Sequence, residues 1–243
     1  GRRDDALAET QRVLALLAGA AERDTPQVHA ARGNAASVLH LLGRGDEALQ
    51  QHRAVLAFFE QAFGRDNPDT LIALNNVISD LVDLGRFAEA LPLAEQLVAR
   101  QDRAVGPEHR SMALALATLA GAEYGAGRFA PAREHIVRAL ALYDKNAIGG
   151  AAVVIALAQL GEIEHALDRP DAAATALGRS VALGERTGVS ALMLAEPRFE
   201  LAKLEPDPAR ATRLATQARD GYAAAGMTRE RDQVAAWLAG RAR

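Results

Sequence analysis

The sequence contains no cysteine, which removes disulfide frameworks and thiolate metal sites from consideration. Aromatic residues make up only 4% of the chain. That is too few for a sheet sandwich, whose pleated faces fill with Val, Ile, Tyr and Phe. The most apolar stretch, from Ile148 to Leu160, is interrupted by Gln159 and is too short to span a bilayer. Neither charge is in excess. Lys and Arg total 28 against 31 Asp and Glu, a formal net charge of −3, so bulk nucleic-acid binding, which runs on phosphate neutralisation, is not expected. No Asn-x-Ser/Thr sequon occurs, and the charged start Gly1-Arg2-Arg3-Asp4-Asp5 lacks the layout of a signal peptide. A cytoplasmic protein with no membrane association is the simplest expectation. Lysine is confined to Lys145 and Lys203, and with abundant Ala this Arg bias suggests a GC-rich bacterial gene.

What is present is a repeat. Gly1-Arg2, Gly43-Arg44, Gly85-Arg86 and Gly127-Arg128 stand 42 residues apart, and Asp168-Arg169 follows after 41 with Asp in place of Gly. Each step is followed at the same offset by alanine: Ala6, Ala48, Ala90, Ala132 and Ala173. An apolar helical pattern precedes each complete copy, such as Ala73-Leu74-Asn75-Asn76-Val77-Ile78-Ser79-Asp80-Leu81. Before that pattern come Thr25-Pro26 and Asn67-Pro68, again 42 residues apart, with Arg110 in the next slot. A capping residue followed by proline predicts a helix start. Glycine tolerates positive φ just past a helix end, and the alanine predicts a close approach of two antiparallel helices. Each unit therefore reads as helix, tight turn, helix, and such pairs bury their apolar faces only by stacking.

These residues resemble tetratricopeptide repeats of the 42-residue variety found in kinesin light chains and many bacterial signalling proteins. The resemblance rests on Phe63-Gly64-Arg65-Asp66-Asn67-Pro68-Asp69-Thr70, Leu74-Asn75-Asn76-Val77-Ile78, Gly85-Arg86-Phe87-Ala88-Glu89-Ala90 and Val105-Gly106-Pro107-Glu108-His109. It implies an all-α fold, a right-handed superhelical solenoid of antiparallel helix pairs. Repeats are expected over residues 1–204, the first one incomplete, with C-terminal capping helices over 205–243. Glu205-Pro206-Asp207-Pro208 reads as the break between them, Ala209 to Ala225 as a helix stopped by Gly226, and Met227 to Ala239 as a last helix holding Trp237 and Leu238. Ala218-Arg219, Tyr222-Ala223-Ala224-Ala225-Gly226 and Val234-Ala235-Ala236-Trp237-Leu238 also resemble the ends of bacterial serine/threonine kinases with tetratricopeptide tails. Residue 1 falls on the turn glycine, so the helix expected from about Asp4 to Ala20 lacks its partner, and a fragment of a longer protein is expected.

In tetratricopeptide proteins the first helix of each pair lines a concave groove that holds peptides. Aligned on the Gly-Arg step, the residues expected to face that groove are Asn34, Ser37 and His40; Asn75, Asn76, Ser79 and Asp83; Thr118 and Tyr124; and Gln159, Glu162 and His165. Amides, hydroxyls and an aromatic suit the gripping of a peptide backbone by hydrogen bonds. Two consecutive asparagines are unfavourable in a helix, which makes Asn75-Asn76 the sharpest of these signals. The groove lacks the Lys/Arg cluster with which family members clamp a C-terminal carboxylate.

Other patterns carry less. Glu162-x-x-His165 has the spacing used in di-iron bundles, but the second such motif is missing, so no metal or cofactor is expected. Arg44-Gly45-Asp46 lies on the repeat turn, Gly125-Ala126-Gly127 is followed by no Gly-Lys-Ser/Thr, and no Gly-x-Ser-x-Gly elbow exists. The run Thr228-Arg229-Glu230-Arg231-Asp232 reads as a solvated helix face. No convergent catalytic set appears, so the chain is not expected to be an enzyme. The expectation is a module that binds a protein or peptide, as a regulatory or scaffolding part of a larger bacterial signalling protein. The alternatives are a signalling-peptide receptor and a self-associating scaffold, a homodimer formed through terminal helices with Leu7, Val13, Leu14 and Leu17 left bare.

Overall fold

The computed structural model describes residues 2–19 and 25–241. Twelve helices and no strand are found among the described residues. They fall into two compact units, residues 1–128 and 129–243. The first unit holds α1 (Arg2–Gly19), α2 (Pro26–Leu41), α3 (Gly45–Phe63), α4 (Pro68–Asp83), α5 (Phe87–Val105) and α6 (Arg110–Gly125). The second holds α7 (Phe129–Lys145), α8 (Ala151–Ala166), α9 (Pro170–Thr187), α10 (Ala195–Leu204), α11 (Pro208–Ala224) and α12 (Thr228–Arg241).

Helix starts follow the capping chemistry. The Thr25 hydroxyl accepts from the Val28 N–H and the Asn67 side chain from the Asp69 N–H, with Pro26 and Pro68 as first helical residues. His109 caps α6 through the Ser111 N–H, and Arg110 takes the proline's slot. The turns repeat as closely. Gly43, Gly85 and Gly127 have φ of 75°, 69° and 75°, and Asp168, their counterpart, adopts φ 58°. At each turn the next arginine's N–H returns to a carbonyl five residues back: Arg44 to Leu39, Arg86 to Leu81, Arg128 to Glu123 and Arg169 to Glu164. This is the bond that closes a helix through a left-handed residue.

Inside each unit, successive helices pack on one another, and in the first unit α4 also touches α6 directly. The repeat alanines Ala48, Ala90, Ala132 and Ala173 are all 0% exposed, so the helices meet at the places expected for a small side chain. Leu39, Leu74, Ile78, Leu81, Leu97, Met112 and Leu116 form the core of the first unit, and Ile136, Ile163 and Leu177 belong to that of the second. A terminal cluster joins Leu177, Phe199, Leu214, Tyr222 and Val234, with Trp237 and Leu238 packed against it. The arginine of the turn has a second use in two repeats. Arg128 lies 3.6 Å from the buried Glu123 carboxylate and Arg169 lies 3.5 Å from that of Glu164.

At the chain's start, Leu7, Val13, Leu14 and Leu17 are half-buried rather than bare, because α1 packs on α2. Leu16 is the exposed one, at 68%. Ala20, expected at the end of this helix, lies outside the described residues.

Candidate functional site

Two clefts open in the first unit. The first, of about 350 Å³, is walled by α2, α3 and α4, with Ala30, Val55, Phe59, Ile72 and Ala73 as its apolar surface and Asn34, Ser37 and Asn76 as polar groups. The second, of about 170 Å³, is walled by α4, α5 and α6, with Leu71, Ile72, Leu97 and Leu114 facing Asn75, Gln101, His109 and Ser111. The two are one feature repeated. Pro26, Ala30, Val55, Phe59, Asp69 and Ile72 of the first stand 42 residues before Pro68, Ile72, Leu97, Gln101, Ser111 and Leu114 of the second.

The clefts also differ in the polar bonds they hold. Gly33 and Asn75 hold the same repeat position, and the Asn75 side-chain oxygen accepts from the Thr118 hydroxyl at 2.7 Å. Gly33 has no side chain to make that bond, and Asn76, the counterpart of Thr118, is left facing the first cleft. The two consecutive asparagines therefore serve different clefts, Asn75 the second and Asn76 the first. Ile72 and Leu114 are 58% and 47% exposed at equivalent positions on the cleft lips, an apolar surface that solvation alone does not favour. In the first cleft His29 stacks on Phe58 with ring centroids 3.8 Å apart, which fixes the imidazole in the wall.

His40, another groove candidate, is engaged within the chain. Its Nδ1 lies 2.8 Å from one oxygen of Asp80 and its Nε2 2.8 Å from Asp83. The second Asp80 oxygen meets His52 Nδ1 at 2.6 Å. Asp80 and His52 are almost completely buried, and the cluster ties α2, α3 and α4 together. Hydrogen bonds to Asp80 and then Asp83 push the His40 pKa up to about 10. Burial alone would raise the Asp80 carboxyl, but its bonds to His40 and His52 outweigh that and hold it below its usual value. His52 and Asp80 escape motif reading because neither sits in a known pattern. The one sequence signal is a lone acid in the apolar run Val77-Ile78-Ser79-Asp80-Leu81.

Ser37, His52 and Asp80 stand in the order of a charge relay, but the contacts argue for structure. The Ser37 hydroxyl donates to the Gly33 carbonyl at 3.1 Å, and His52 Nε2 points at that same carbonyl at 3.3 Å, nearer than its 3.5 Å from Ser37 Oγ. The imidazole is aimed at an acceptor rather than poised to take the hydroxyl proton.

Of the remaining candidates, Ser79 and Tyr124 are half-buried and line neither cleft. In the second unit Gln159, Glu162 and His165 lie on α8, with His165 exposed. Burial, with the Glu196 and Glu200 charges adding to it, raises the Glu162 pKa to about 8. No cluster of metal-ligating side chains is found among the described residues, and none of their helices is long and apolar enough to cross a membrane.

Stacked antiparallel helix pairs, with a cleft repeated once at a 42-residue step in the first unit, define an α-helical repeat fold. Residues 30–69 and 71–145 match models of the tetratricopeptide repeat. These two stretches are tetratricopeptide repeats, and their turns recur at a 42-residue step. The fold of the chain is similar to that of BtubC (BKLC) from P. vanneervenii, with a TM-score of 0.68, 16% identity and 92% of each chain covered. It is also similar to the nearly identical TPR-like repeats attributed to a kinesin light chain of Podosopora anserina, with a TM-score of 0.58, 21% identity, and 83% of this chain and 98% of that one covered. A third likeness is to a Rap protein complexed with Competence and Sporulation Factor, with a TM-score of 0.63, 12% identity, and 88% of this chain and 64% of that one covered. Comparison with curated protein sequences finds no significant match.

Proposed function

We propose that the first unit binds an extended peptide segment of a partner protein, seating one of its side chains in each cleft. The observation that carries this reading is the recurrence of one cleft, position by position, at a 42-residue step. Neighbouring helices that touch, as α4 and α6 do, are about 8–10 Å apart. That distance matches about three residues of extended chain at ~3.3 Å each. A peptide crossing these helices would bring successive apolar side chains over successive clefts, while Asn34, Ser37 and Asn76 bond its backbone. The larger first cleft suits a bulky apolar side chain and the smaller second one a medium aliphatic side chain. The Rap protein complexed with Competence and Sporulation Factor is a precedent for ligand binding on a related fold.

The same reading makes the chain a binding module rather than an enzyme, acting as a regulatory or scaffolding part of a bacterial signalling protein in the cytoplasm. Affinity capture from lysate of the source organism, with wild type, Asn76→Ala and Ile72→Glu compared, tests it. The expected result is a partner lost by at least ten-fold in both variants with helical circular dichroism intact. A partner retained by both variants would place binding elsewhere. Absence of any partner together with a concentration-dependent dimer would favour self-association.

A further inference from the structure

Glycines inside helices cost stability relative to alanine, and most of those found here are explained by packing. A Cβ at Gly125 would fall 2.0 Å from Phe87, at Gly161 2.5 Å from Leu177, at Gly184 2.4 Å from Leu194 and at Gly221 2.7 Å from the Ala191 carbonyl oxygen. Gly178, in the middle of α9, is different: a Cβ there would meet nothing within 4 Å. It lines a cleft of about 260 Å³ between the second helices α9 and α11, remote in sequence from the clefts described above.

The cleft has a buried aliphatic floor of Val181, Leu201 and Leu214. Arg210, Arg213 and Gln217 of α11 stand along one wall and Glu185 of α9 on the other. Most of these charges are already matched. Arg210 is held by Glu205 at 2.8 Å, and Glu185 is taken by Arg198 at 2.9 Å. Arg213 is exposed and no carboxylate of the described residues pairs with it. The cleft therefore presents one uncompensated guanidinium, with the Gln217 amide one helical turn further on.

The geometry points to this cleft as a docking site for an acidic segment of a protein partner, in which an Asp or Glu side chain pairs with Arg213 beside an aliphatic residue that rests against the bare α9 backbone at Gly178. Charge complementarity selects the occupant. A guanidinium presents a fork of donors that matches a carboxylate. A lone cation in a narrow cleft is poorly suited to the phosphate rows of nucleic acid or to a lipid surface. The open backbone at Gly178 lets an aliphatic side chain approach closer to α9 than any other residue type there would allow. The site lies in the second unit and does not rest on the peptide reading of the first.

The test is a random dodecapeptide display selection against the full chain. Selected peptides are re-bound to Arg213→Glu, Gly178→Leu and the first-unit variant Asn76→Ala. The expected result is a class of peptides with Asp or Glu next to Leu, Ile or Val. This class should weaken at least ten-fold on Arg213→Glu and on Gly178→Leu, weaken with added salt, and be unaffected by Asn76→Ala. Unchanged helical circular dichroism and a thermal midpoint no lower than that of wild type establish that each variant is folded. Three outcomes overturn the proposal: no acidic class emerges; the acidic class binds Arg213→Glu within two-fold; or phosphatidylserine vesicles, and no peptide, show Arg213-dependent binding.

Discussion

Gly33 and Asn75 occupy the same place in successive repeats, and only Asn75 carries the side chain that bonds Thr118 across to α6. The larger first cleft, about 350 Å³ against about 170 Å³, differs from the second at that position and also where Ala30 stands in place of Ile72. Gly33→Asn should therefore make the first cleft resemble the second, because Asn76 stands where Thr118 would receive it. The expected outcome is a loss of affinity of ten-fold or more for a captured partner. The thermal midpoint should be unchanged or slightly raised, since asparagine is no worse than glycine inside a helix. Isothermal titration with the partner segment checks this, and undiminished affinity would show that the first cleft is not used.

The shared carboxylate of Asp80 sets a pH dependence. His40 is raised from an ordinary histidine value to about 10, so its stabilising contribution is complete below about pH 6.5 and is lost as pH rises toward 10. Asp80 is shifted the other way. Its contribution is present above the ordinary aspartate range and is lost on acidification through its lowered pKa. Urea unfolding of wild type and His40→Gln should thus differ most at pH 5–6 and converge toward pH 10. A difference that does not change with pH would mean that His40 acts by packing alone. Asp80→Ala leaves two histidines without their common acceptor, one of them buried, and should cost about 3–5 kcal/mol, the range for breaking a buried pair.

Much of the fold was legible because the repeat constrains backbone and packing together. The 42-residue step located the turns, the caps and the alanine contacts, and Asp168 was identified as a turn residue by its place in the repeat alone. The candidate site was read less well. The repeat register put Asn34 and Ser37 of α2 and Asn76 of α4 on one groove, and these three do line one cleft. It could not show that Asn75 and Asn76, one residue apart and so about 100° apart around the helix, point into different clefts. Nor could it show that His40 is occupied by Asp80 and Asp83, because that depends on which second-helix residues pack opposite. Gly33 and Phe59 carried no chemical signal in sequence, and they matter through the space they leave or fill.

Asp168 adopts φ 58° at a position where the other repeats use glycine. A left-handed conformation costs an ordinary residue roughly 1–2 kcal/mol, less for aspartate than for most. Asp168→Gly should raise stability by about 0.5–1 kcal/mol, and Asp168→Val should lower it by more than that. Chemical denaturation of both variants checks the ordering. Equal stability for Gly and Val would remove backbone strain as the explanation.

Glu162 illustrates the opposite electrostatic case. Burial, aided by the Glu196 and Glu200 charges, raises its pKa to about 8. The unfolded chain releases this proton near the ordinary glutamate value while the folded chain keeps it, so folding stability falls as pH rises from about 4.5 to about 8. Glu162→Gln removes that loss. The variant should match wild type at pH 4 and exceed it increasingly up to pH 8, beyond which the gap stays constant. Parallel stability curves for the two proteins across this range would contradict the assignment.

Gly178 and Gly161 give a paired test of why helical glycines are present. At Gly161 an added methyl would lie 2.5 Å from Leu177 and 3.3 Å from the Ala173 carbonyl oxygen. Gly161→Ala must push α8 and α9 apart, and overpacking of this kind typically costs about 1–3 kcal/mol. At Gly178 the same methyl meets no atom within 4 Å. Gly178→Ala should therefore stabilise the chain by about 0.8–1 kcal/mol, the full difference in helix propensity between the two residues. Opposite signs in urea denaturation would separate a glycine held by packing from one that packing does not require. A loss of stability in Gly178→Ala would mean that α9 is more tightly surrounded at that point than its open neighbourhood indicates, and the space for an incoming side chain would be gone with it.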